Sequence, residues 1–248
     1  MTSLVTDVQT VFSRELRPTL RQPFTIIISM VQPLVFLALF APLLPEVEGG
    51  SALQWFVPGI VVMSCLFASS MTGSNLLFEI QTGSHERMLV TPLRRPALLI
   101  GRALKEIVPM FAQAALIVAV CIPFGFELNL GGALIGLLIL GGFCIGLGAL
   151  SYTLALASKN QEWLFWTVQQ TLLFPLLLLA GMLLPVEGGP GWLQTLSKFN
   201  PLTYVVNAER ALFNGDIWAL TTVTGAIAAA GVAALGLLVG VRAMNRDD

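Results

Sequence analysis

The sequence predicts an all-α polytopic membrane protein with six transmembrane helices, an interfacial amphipathic helix at its N-terminus and a re-entrant helical hairpin before the last span. Composition is the first observation behind this prediction. Of the 248 residues, 56% are hydrophobic and only 11% are charged, whereas soluble domains contain about 25% charged residues. The second observation is a set of long apolar runs, and the third is the one-sided distribution of Lys and Arg. A soluble enzyme, a secreted disulfide-stabilised module and a disordered tail are therefore excluded.

Residues 1–23 predict an amphipathic helix that lies in the cytoplasmic membrane interface. Polar side chains such as Asp7 and Arg14 fall on other faces than the apolar ones, and they also interrupt any signal-peptide core. Pro18 and Pro23 are expected to end this helix before the first span. The alternative is a solvated tail. The apolar face comprises Leu4, Val8, Val11, Phe12, Leu16 and Leu20.

Six apolar segments are each long enough to cross the bilayer, because about 20 helical residues span ~30 Å of hydrocarbon. With the N-terminus inside, eleven of the thirteen Lys and Arg residues lie on the cytoplasmic side, and only Lys198 and Arg210 lie outside. Since basic residues are retained inside, both termini are predicted to be cytoplasmic. The predicted spans are residues 24–44, 55–78, 107–126, 133–157, 164–184 and 218–241.

The longest predicted cytoplasmic loop, residues 79–95, reads EIQTGSHERMLVTPLRR. It predicts a short helix with a break near Gly83. Thr91-Pro92 is expected to end this helix, because the residue before a proline avoids the helical conformation. The loop between the fourth and fifth spans, residues 158–163, is short. Only the first loop is therefore long enough to project from the bilayer.

A further helix is predicted to begin at Pro96, because proline is favoured in the first helical turn. The run ALLIGRALKEI carries this helix into the third span. Arg102 and Glu106 are four residues apart, so their side chains are expected to pair on one face of the helix.

Glycines spaced four residues apart in the fourth and sixth spans predict close helix packing. Small residues at this spacing allow two helix backbones to approach each other in a membrane. The pairs are Gly132/Gly136, Gly142/Gly146 and Gly236/Gly240.

The last outer loop, residues 185–217, carries many apolar side chains, including Trp192 and Tyr204. A freely solvated loop would not need them, so the loop predicts two short helices that dip back toward the bilayer or cap the bundle. Asn200 is expected to be the N-cap of the second helix, with Pro201 in its first turn. Together with Tyr204, these two residues form the predicted re-entrant motif.

Motifs for ATP binding, metal binding and nucleophilic catalysis are missing from the sequence. There is no GxxxxGK[ST] phosphate-binding loop, and His85 is the only histidine. Cys65, Cys121 and Cys144 lie in apolar runs, which indicates packing residues rather than metal ligands or a disulfide framework. The net charge of −1 provides no basic surface for nucleic acid. We therefore expect a non-catalytic chain without a cofactor or metal of its own.

Neutral polar residues within the spans are the predicted cargo path. Gln169, Gln170 and Thr171 lie at mid-depth in the fifth span, and Asn75 lies in the second. No ionisable residue falls in the interior of a span, so ion-coupled transport has no evident site. We interpret these four residues as a polar wall that faces an amphiphilic cargo. The alternative is that they only hydrogen-bond helices together, which is worth about 1 kcal/mol per residue.

Two stretches of the chain resemble type-2 ABC export permeases, the group that includes the daunorubicin-resistance permeases. ERMLVTPLRRPALLIG, residues 86–101, resembles the first cytoplasmic loop of that family, and NPLTYVVNAERALF, residues 200–213, resembles the segment before its last span. The resemblance implies a single transmembrane domain over residues 1–248 that pairs with a second permease copy or a homologue. It also implies a separate ABC ATPase subunit, which binds the ATP and Mg.

The same resemblance implies that the loop from Glu79 onward is a coupling helix that docks on the ATPase. Glu86 and Arg87 suit polar contacts with that partner, and Met88 and Leu89 suit apolar ones. The alternative is that the arginines of this loop only bind anionic lipid headgroups. The predicted coupling residues are Glu79, Glu86, Arg87, Met88, Leu89, Thr91 and Pro92.

The predicted function follows from the resemblance together with the absence of an energy source in the chain. We expect the permease subunit of an ATP-driven exporter that moves a drug, lipid or glycolipid out of the cytoplasm. The expected location is the plasma (cell inner) membrane, with membrane lipids as further partners and no nucleic acid. The alternatives are a secondary carrier or channel and a non-transporting scaffold subunit.

Overall fold

The computed structural model describes residues 4–21, 24, 27–28, 30–43, 52–90 and 93–246, and these residues form helices and turns without a strand. The prediction of an all-α protein is confirmed. The helices are α1 (Leu4–Arg21), α2 (Val31–Phe40), α3 (Ala52–Gln81), α4 (Ser84–Leu89), α5 (Arg95–Lys105), α6 (Ile107–Cys121), α7 (Leu130–Ala157), α8 (Glu162–Leu179), α9 (Gly191–Phe199), α10 (Pro201–Phe213) and α11 (Leu220–Arg246).

Four helical segments among the described residues are long and apolar enough to cross a membrane. They are α3, the consecutive helices α5 and α6, α7 and α11, and they correspond to the second, third, fourth and sixth predicted spans. The first predicted span contains the shorter apolar helix α2 and otherwise lies partly outside the described residues. The fifth corresponds to α8, whose 18 residues include Glu162 and the Gln169-Gln170 pair, and these polar residues lower its apolar character.

Helix α7 lies at the centre of the bundle and packs against α3, α5, α10 and α11. Gly146 permits one of the close approaches, that of α11. A Cβ placed there would lie 2.5 Å from the carbonyl oxygen of Val232 on α11. The predicted glycine packing is thus confirmed at Gly146, whereas a Cβ at Gly142 meets nothing within 4 Å.

Helix α1 packs against α5 and differs from the prediction in two respects. Its buried side chains are Asp7 and Val11, so Asp7 does not lie on a solvated face. Pro18 lies inside the helix instead of ending it. The reason is that α5 determines which face is covered, since a Cβ at Gly101 of α5 would lie 2.7 Å from the Val11 side chain.

A sharp turn separates α3 from α4. Gly83 adopts φ 66° in the left-handed region, which L-residues with a side chain rarely adopt. The predicted break near Gly83 and the short helix after it are therefore confirmed. Thr91 and Pro92 lie outside the described residues. Pro96 lies in the first turn of α5, which begins at Arg95, one residue before the predicted start, and Glu106 joins α5 to α6.

Within residues 185–217, the predicted pair of short helices is present as α9 and α10. The side-chain oxygen of Asn200 accepts a hydrogen bond of 3.0 Å from the backbone N–H of Leu202, which makes Asn200 the N-cap of α10, and Pro201 begins the helix. Helix α10 is packed against α3, α7 and α11. Helix α9, in contrast, exposes Trp192 and Phe199.

The bundle has two ends with different composition. The α4 end comprises α1, α4, α5 and the adjoining ends of α3, α7 and α11, which share a hydrophobic cluster around Tyr152 and Leu99. The α10 end comprises α9, α10 and the opposite ends of those long helices.

Candidate functional site

A buried arginine organises the polar groups of the α4 end. The side chain of Arg102 on α5 is 4% exposed and forms an ion pair with Glu79 on α3. Its Nε lies 3.8 Å from an oxygen of Glu15 on α1, and it donates a hydrogen bond of 3.2 Å to the hydroxyl of Tyr152 on α7. One guanidinium therefore joins four helices. The predicted pairing of Arg102 with Glu106 is wrong, because α5 ends at Lys105 and Arg102 points to α3 instead.

A second ion pair lies beside the first, at the junction of α5 and α6. The ammonium of Lys105 lies 3.0 Å from Oε1 of Glu106. The amide of Asn75 on α3 donates to the same oxygen over 3.5 Å. Both members of this pair are buried, so the two charges neutralise each other away from solvent.

A cavity of about 560 Å³ lies next to these ion pairs, between α1, α2, α3 and the junction of α5 and α6. We call it the α3 cavity. Charged groups line one part of it, and apolar and neutral polar side chains line the remainder. The lining comprises Glu15, Pro18, Thr19, Ile28, Gln32, Pro33, Ser64, Phe67, Ala68, Met71, Asn75, Phe78, Glu79, Lys105, Glu106, Pro109 and Gln113.

The four predicted cargo-path residues do not lie together. Asn75 lines the α3 cavity. On α8, Gln169 is buried, whereas Gln170 and Thr171 are exposed. The reason is geometric, because consecutive helical residues point about 100° apart. A cargo role for each of the four stays a prediction, but they do not form a common wall.

The predicted coupling residues divide into inward-facing and outward-facing groups. Glu79 pairs with Arg102 and lines the α3 cavity. Met88 is 2% exposed and belongs to the hydrophobic cluster of the α4 end. Glu86 and Arg87 are exposed on α4 and are therefore available to a partner. Thr91, Pro92 and the side chain of Leu89 lie outside the part of the chain that the structure describes.

Two residues of α10 are more important to the structure than the sequence indicated. Arg210 donates hydrogen bonds to the carbonyl oxygens of Trp55 (3.1 Å) and Gly181 (2.7 Å). Its guanidinium also lies 3.8 Å from the centre of the Trp55 indole. The neighbouring Glu209 is fully buried, and its carboxylate lies against Gly136 of α7. The sequence contained an indication of this role. Glu209 and Arg210 are adjacent charged residues in an apolar segment, where a charge is unfavourable unless it contacts a partner.

The described part of the chain offers no metal centre. Within it, no group of three or more His, Cys, Asp or Glu residues is arranged to hold a metal ion. Cys65, Cys121 and Cys144 are free thiols and are buried, in agreement with a packing role.

Comparisons with known proteins give consistent matches over most of the chain. The family model described as "ABC-2 type transporter" matches residues 6–214. The chain is 31% identical over 206 residues to the putative transport permease ycf38 of Cyanophora paradoxa, which covers 80% of this chain and 71% of that protein. It is 27% identical over 198 residues to the daunorubicin resistance ABC transporter permease protein DrrB1 of Streptomyces coeruleorubidus, covering 78% of this chain and 70% of that protein.

A third similar protein is the probable multidrug ABC transporter permease YbhR of Escherichia coli K12. The identity is 25% over 195 residues, which amount to 73% of this chain. They amount to only 52% of YbhR, so the match covers about half of that relative. All three matches concern proteins that are named as permeases.

Proposed function

We propose that this chain, which belongs to the ABC-2 type transporter family, is the permease subunit of an ATP-driven exporter. The family match over residues 6–214 is the observation that carries the proposal. Four helical segments with the length and apolarity of membrane spans support a multi-pass protein. The names of the relatives DrrB1 and YbhR support a role in moving compounds across the membrane.

The proposed topology has six spans, with α2 and its flanking residues as the first and α8 as the fifth. The α9–α10 hairpin then re-enters the outer side of the bilayer before α11. Both termini lie in the cytoplasm of a cell whose inner membrane contains the protein, because eleven of the thirteen basic residues then lie inside. Labelling of a cysteine introduced at Asn245 tests this orientation, and reaction with an impermeant reagent outside intact cells would contradict it.

A separate ABC ATPase subunit is the proposed source of energy, and this chain is proposed to be non-catalytic. ATP and Mg are bound by that partner, since the chain has no phosphate-binding loop. Helix α4 is the proposed contact. It follows α3 across the Gly83 turn and exposes Glu86 and Arg87, so a force on α4 would reach a helix that lines the α3 cavity. A second permease copy or a homologue completes the membrane part.

The proposed cargo is amphiphilic. The α3 cavity supports this choice, because charged groups such as Glu79 and Lys105 share it with apolar ones such as Phe67 and Met71. Ligand sites of small molecules typically have volumes of about 300–1,000 Å³, and this cavity has about 560 Å³. A drug or a lipid with one polar end matches both regions.

Co-purification with the candidate ATPase tests the assignment of α4. We expect the double substitution Glu86→Arg and Arg87→Glu to weaken ATPase retention about tenfold or more, because interface charge reversals remove attraction and add repulsion. Lys198→Glu on the exposed side of α9 is the control and should retain the ATPase. Substitution of Met88 is avoided, because it would disrupt the hydrophobic cluster.

Cargo transport by the reconstituted complex tests the exporter function itself. ATP-dependent transport that requires both subunits is the expected result. ATP-independent uptake by the chain alone in liposomes would identify a carrier or channel instead. Full ATPase retention and normal transport in the charge-reversed variant would place the coupling surface elsewhere.

A further inference from the structure

We propose that the α3 cavity is a binding site for a monocationic amphiphile, with the cationic group beside Glu15 and Glu79 and the apolar body between α2, α3 and α6. This proposal deepens the proposed function and depends on it only for calling the ligand a cargo. Binding itself can be measured without transport.

The charges around the cavity do not balance. Three carboxylates line it, those of Glu15, Glu79 and Glu106, together with one basic side chain, Lys105. Arg102 lies behind Glu79 and is the other buried cation of this group. Among the described residues that are withdrawn from solvent here, acidic groups therefore exceed basic groups by one. An excess charge in a low-dielectric site attracts a ligand of opposite sign more strongly than it would in water.

The pairing pattern identifies which carboxylate is the least compensated. Lys105 is held by Glu106 at 3.0 Å, and Arg102 is held most closely by Glu79. Glu15 is the most distant partner, because its Oε1 lies 3.8 Å from Nε of Arg102. Arg14 also attracts the charge of Glu79, but Arg14 is exposed, where water and salt screen it. A ligand cation would thus complete the pairing at Glu15.

The same pattern disfavours an anionic ligand. The ammonium of Lys105, the basic group in the cavity lining, already lies within ion-pair distance of Glu106. An anion would have to separate that pair and would be repelled by Glu15 and Glu79. Breaking a buried ion pair leaves an uncompensated charge and is strongly unfavourable.

The apolar part of the cavity suits the body of such a ligand. Phe67, Met71 and Phe78 line it along one side of α3. Aromatic ring faces attract cations, and a methionine side chain adapts to ligands of different shape. Met71 and Phe78 are 44% and 67% exposed, so they form a rim through which an apolar molecule can enter from the surface of the bundle.

Equilibrium dialysis of the full-length permease in phosphatidylcholine nanodiscs tests the site. The probe is radiolabelled tetraphenylphosphonium, a permanent cation, and tetraphenylborate is its anion of nearly the same shape. Partition into empty nanodiscs is subtracted. The two ions are dialysed separately, and we expect saturable binding of the cation at one molecule per chain and no saturable binding of tetraphenylborate. Equal binding of both ions would show apolar partition alone and would overturn the proposal.

Two variants test the two halves of the site separately. Glu15→Gln removes one charge with little change of shape and should weaken cation binding about tenfold. Met71→Trp fills the cavity and should abolish binding while all charges remain. Glu127→Gln, an exposed acid at the α10 end, is the control and should bind as the unmodified chain does. Unchanged binding in Glu15→Gln or Met71→Trp would place the bound cation outside the α3 cavity.

Transport measured in parallel separates the two proposals. Saturable binding that depends on Glu15, without ATP-driven transport of the cation, would retain the site and overturn its role as a cargo site. ATP-driven transport of the cation that is unaffected by Glu15→Gln and Met71→Trp would support the exporter and overturn the site.

Discussion

The two ends of the helical bundle are held together by different kinds of contact. At the α10 end, the contacts involve the main chain. The backbones of α7 and α10 lie so close that a Cβ at Gly132 would overlap the carbonyl of Leu212. The side chain of Arg210 donates to two main-chain carbonyls. At the α4 end, side-chain charges from four helices meet at Arg102 and lie beside a cavity. Backbone contacts fix one geometry, whereas charged side chains can exchange partners. The α10 end is thus held by close backbone contacts, and the α4 end is held by charged side chains.

Removing the central charge of the α4 end should have the largest effect. Arg102→Met leaves Glu79, whose side chain is 18% exposed, without its ion-pair partner, and breaking a largely buried pair in this way costs up to about 3–5 kcal/mol. The free energy of unfolding in detergent, measured by titration with sodium dodecyl sulfate, checks this value. The double variant Arg102→Met with Glu79→Gln should recover most of the loss. A double variant that is no more stable than the single one would show that packing of Arg102, not charge, holds this end together.

At the α10 end, the corresponding arginine substitution should cost less. Arg210→Met leaves the carbonyls of Trp55 and Gly181 without this donor, and an unsatisfied buried acceptor costs about 1–3 kcal/mol. The same titration measures the change. A loss larger than that of Arg102→Met would reverse the contrast between the two ends.

A matched pair of glycines tests the backbone contact directly. Gly132→Ala should destabilise the chain by about 1–3 kcal/mol through overpacking. Gly131→Ala, one residue earlier on the exposed side of α7, should be neutral or should stabilise the helix by up to about 1 kcal/mol. Thermal unfolding of the two variants side by side is the measurement. Equal stability of both variants would show that α10 is free to move away from α7.

The smallest expected effect is at the N-cap of α10. Asn200→Ala removes the acceptor for the N–H of Leu202 and the donor to the carbonyl oxygen of Leu176. Loss of an N-cap costs about 1 kcal/mol. Asn200→Ser keeps an acceptor for the cap and loses only the second bond, so it should lie between Asn200→Ala and the unmodified chain in thermal unfolding. A variant Asn200→Ala of unchanged stability would show that Pro201 alone is sufficient to begin the helix.

Features that depend on neighbouring residues in the chain could be predicted from the sequence. The break near Gly83, the helix start at Pro96 and the cap at Asn200 are all set by local backbone preferences. Features that depend on distant residues could not. Arg102 pairs with Glu79, 23 residues away, although Glu106 has the spacing of a helical partner.

The candidate site shows the same limit. The sequence identified Asn75 and Glu79 as important, and both line the α3 cavity. It gave them different roles, because nothing in the order of residues reveals that α1, α2 and α6 close around them. The prediction that Asp7 lies on a polar face of α1 was also wrong. Asp7 is buried, because the contact with α5 determines which side of α1 is covered.

The left-handed turn at Gly83 has a consequence for how tightly α4 can bind another protein. A Cβ at this position meets nothing within 4 Å. The direction of α4 relative to α3 is therefore set by the φ angle of Gly83 and not by contacts around that residue. Met88 then holds α4 in place, because its side chain is buried in the hydrophobic cluster of the α4 end. An element that is ordered before association loses less conformational entropy when it docks. In the proposed complex with the ATPase, the binding energy of exposed residues such as Glu86 would therefore contribute to the affinity instead of being used to organise the helix.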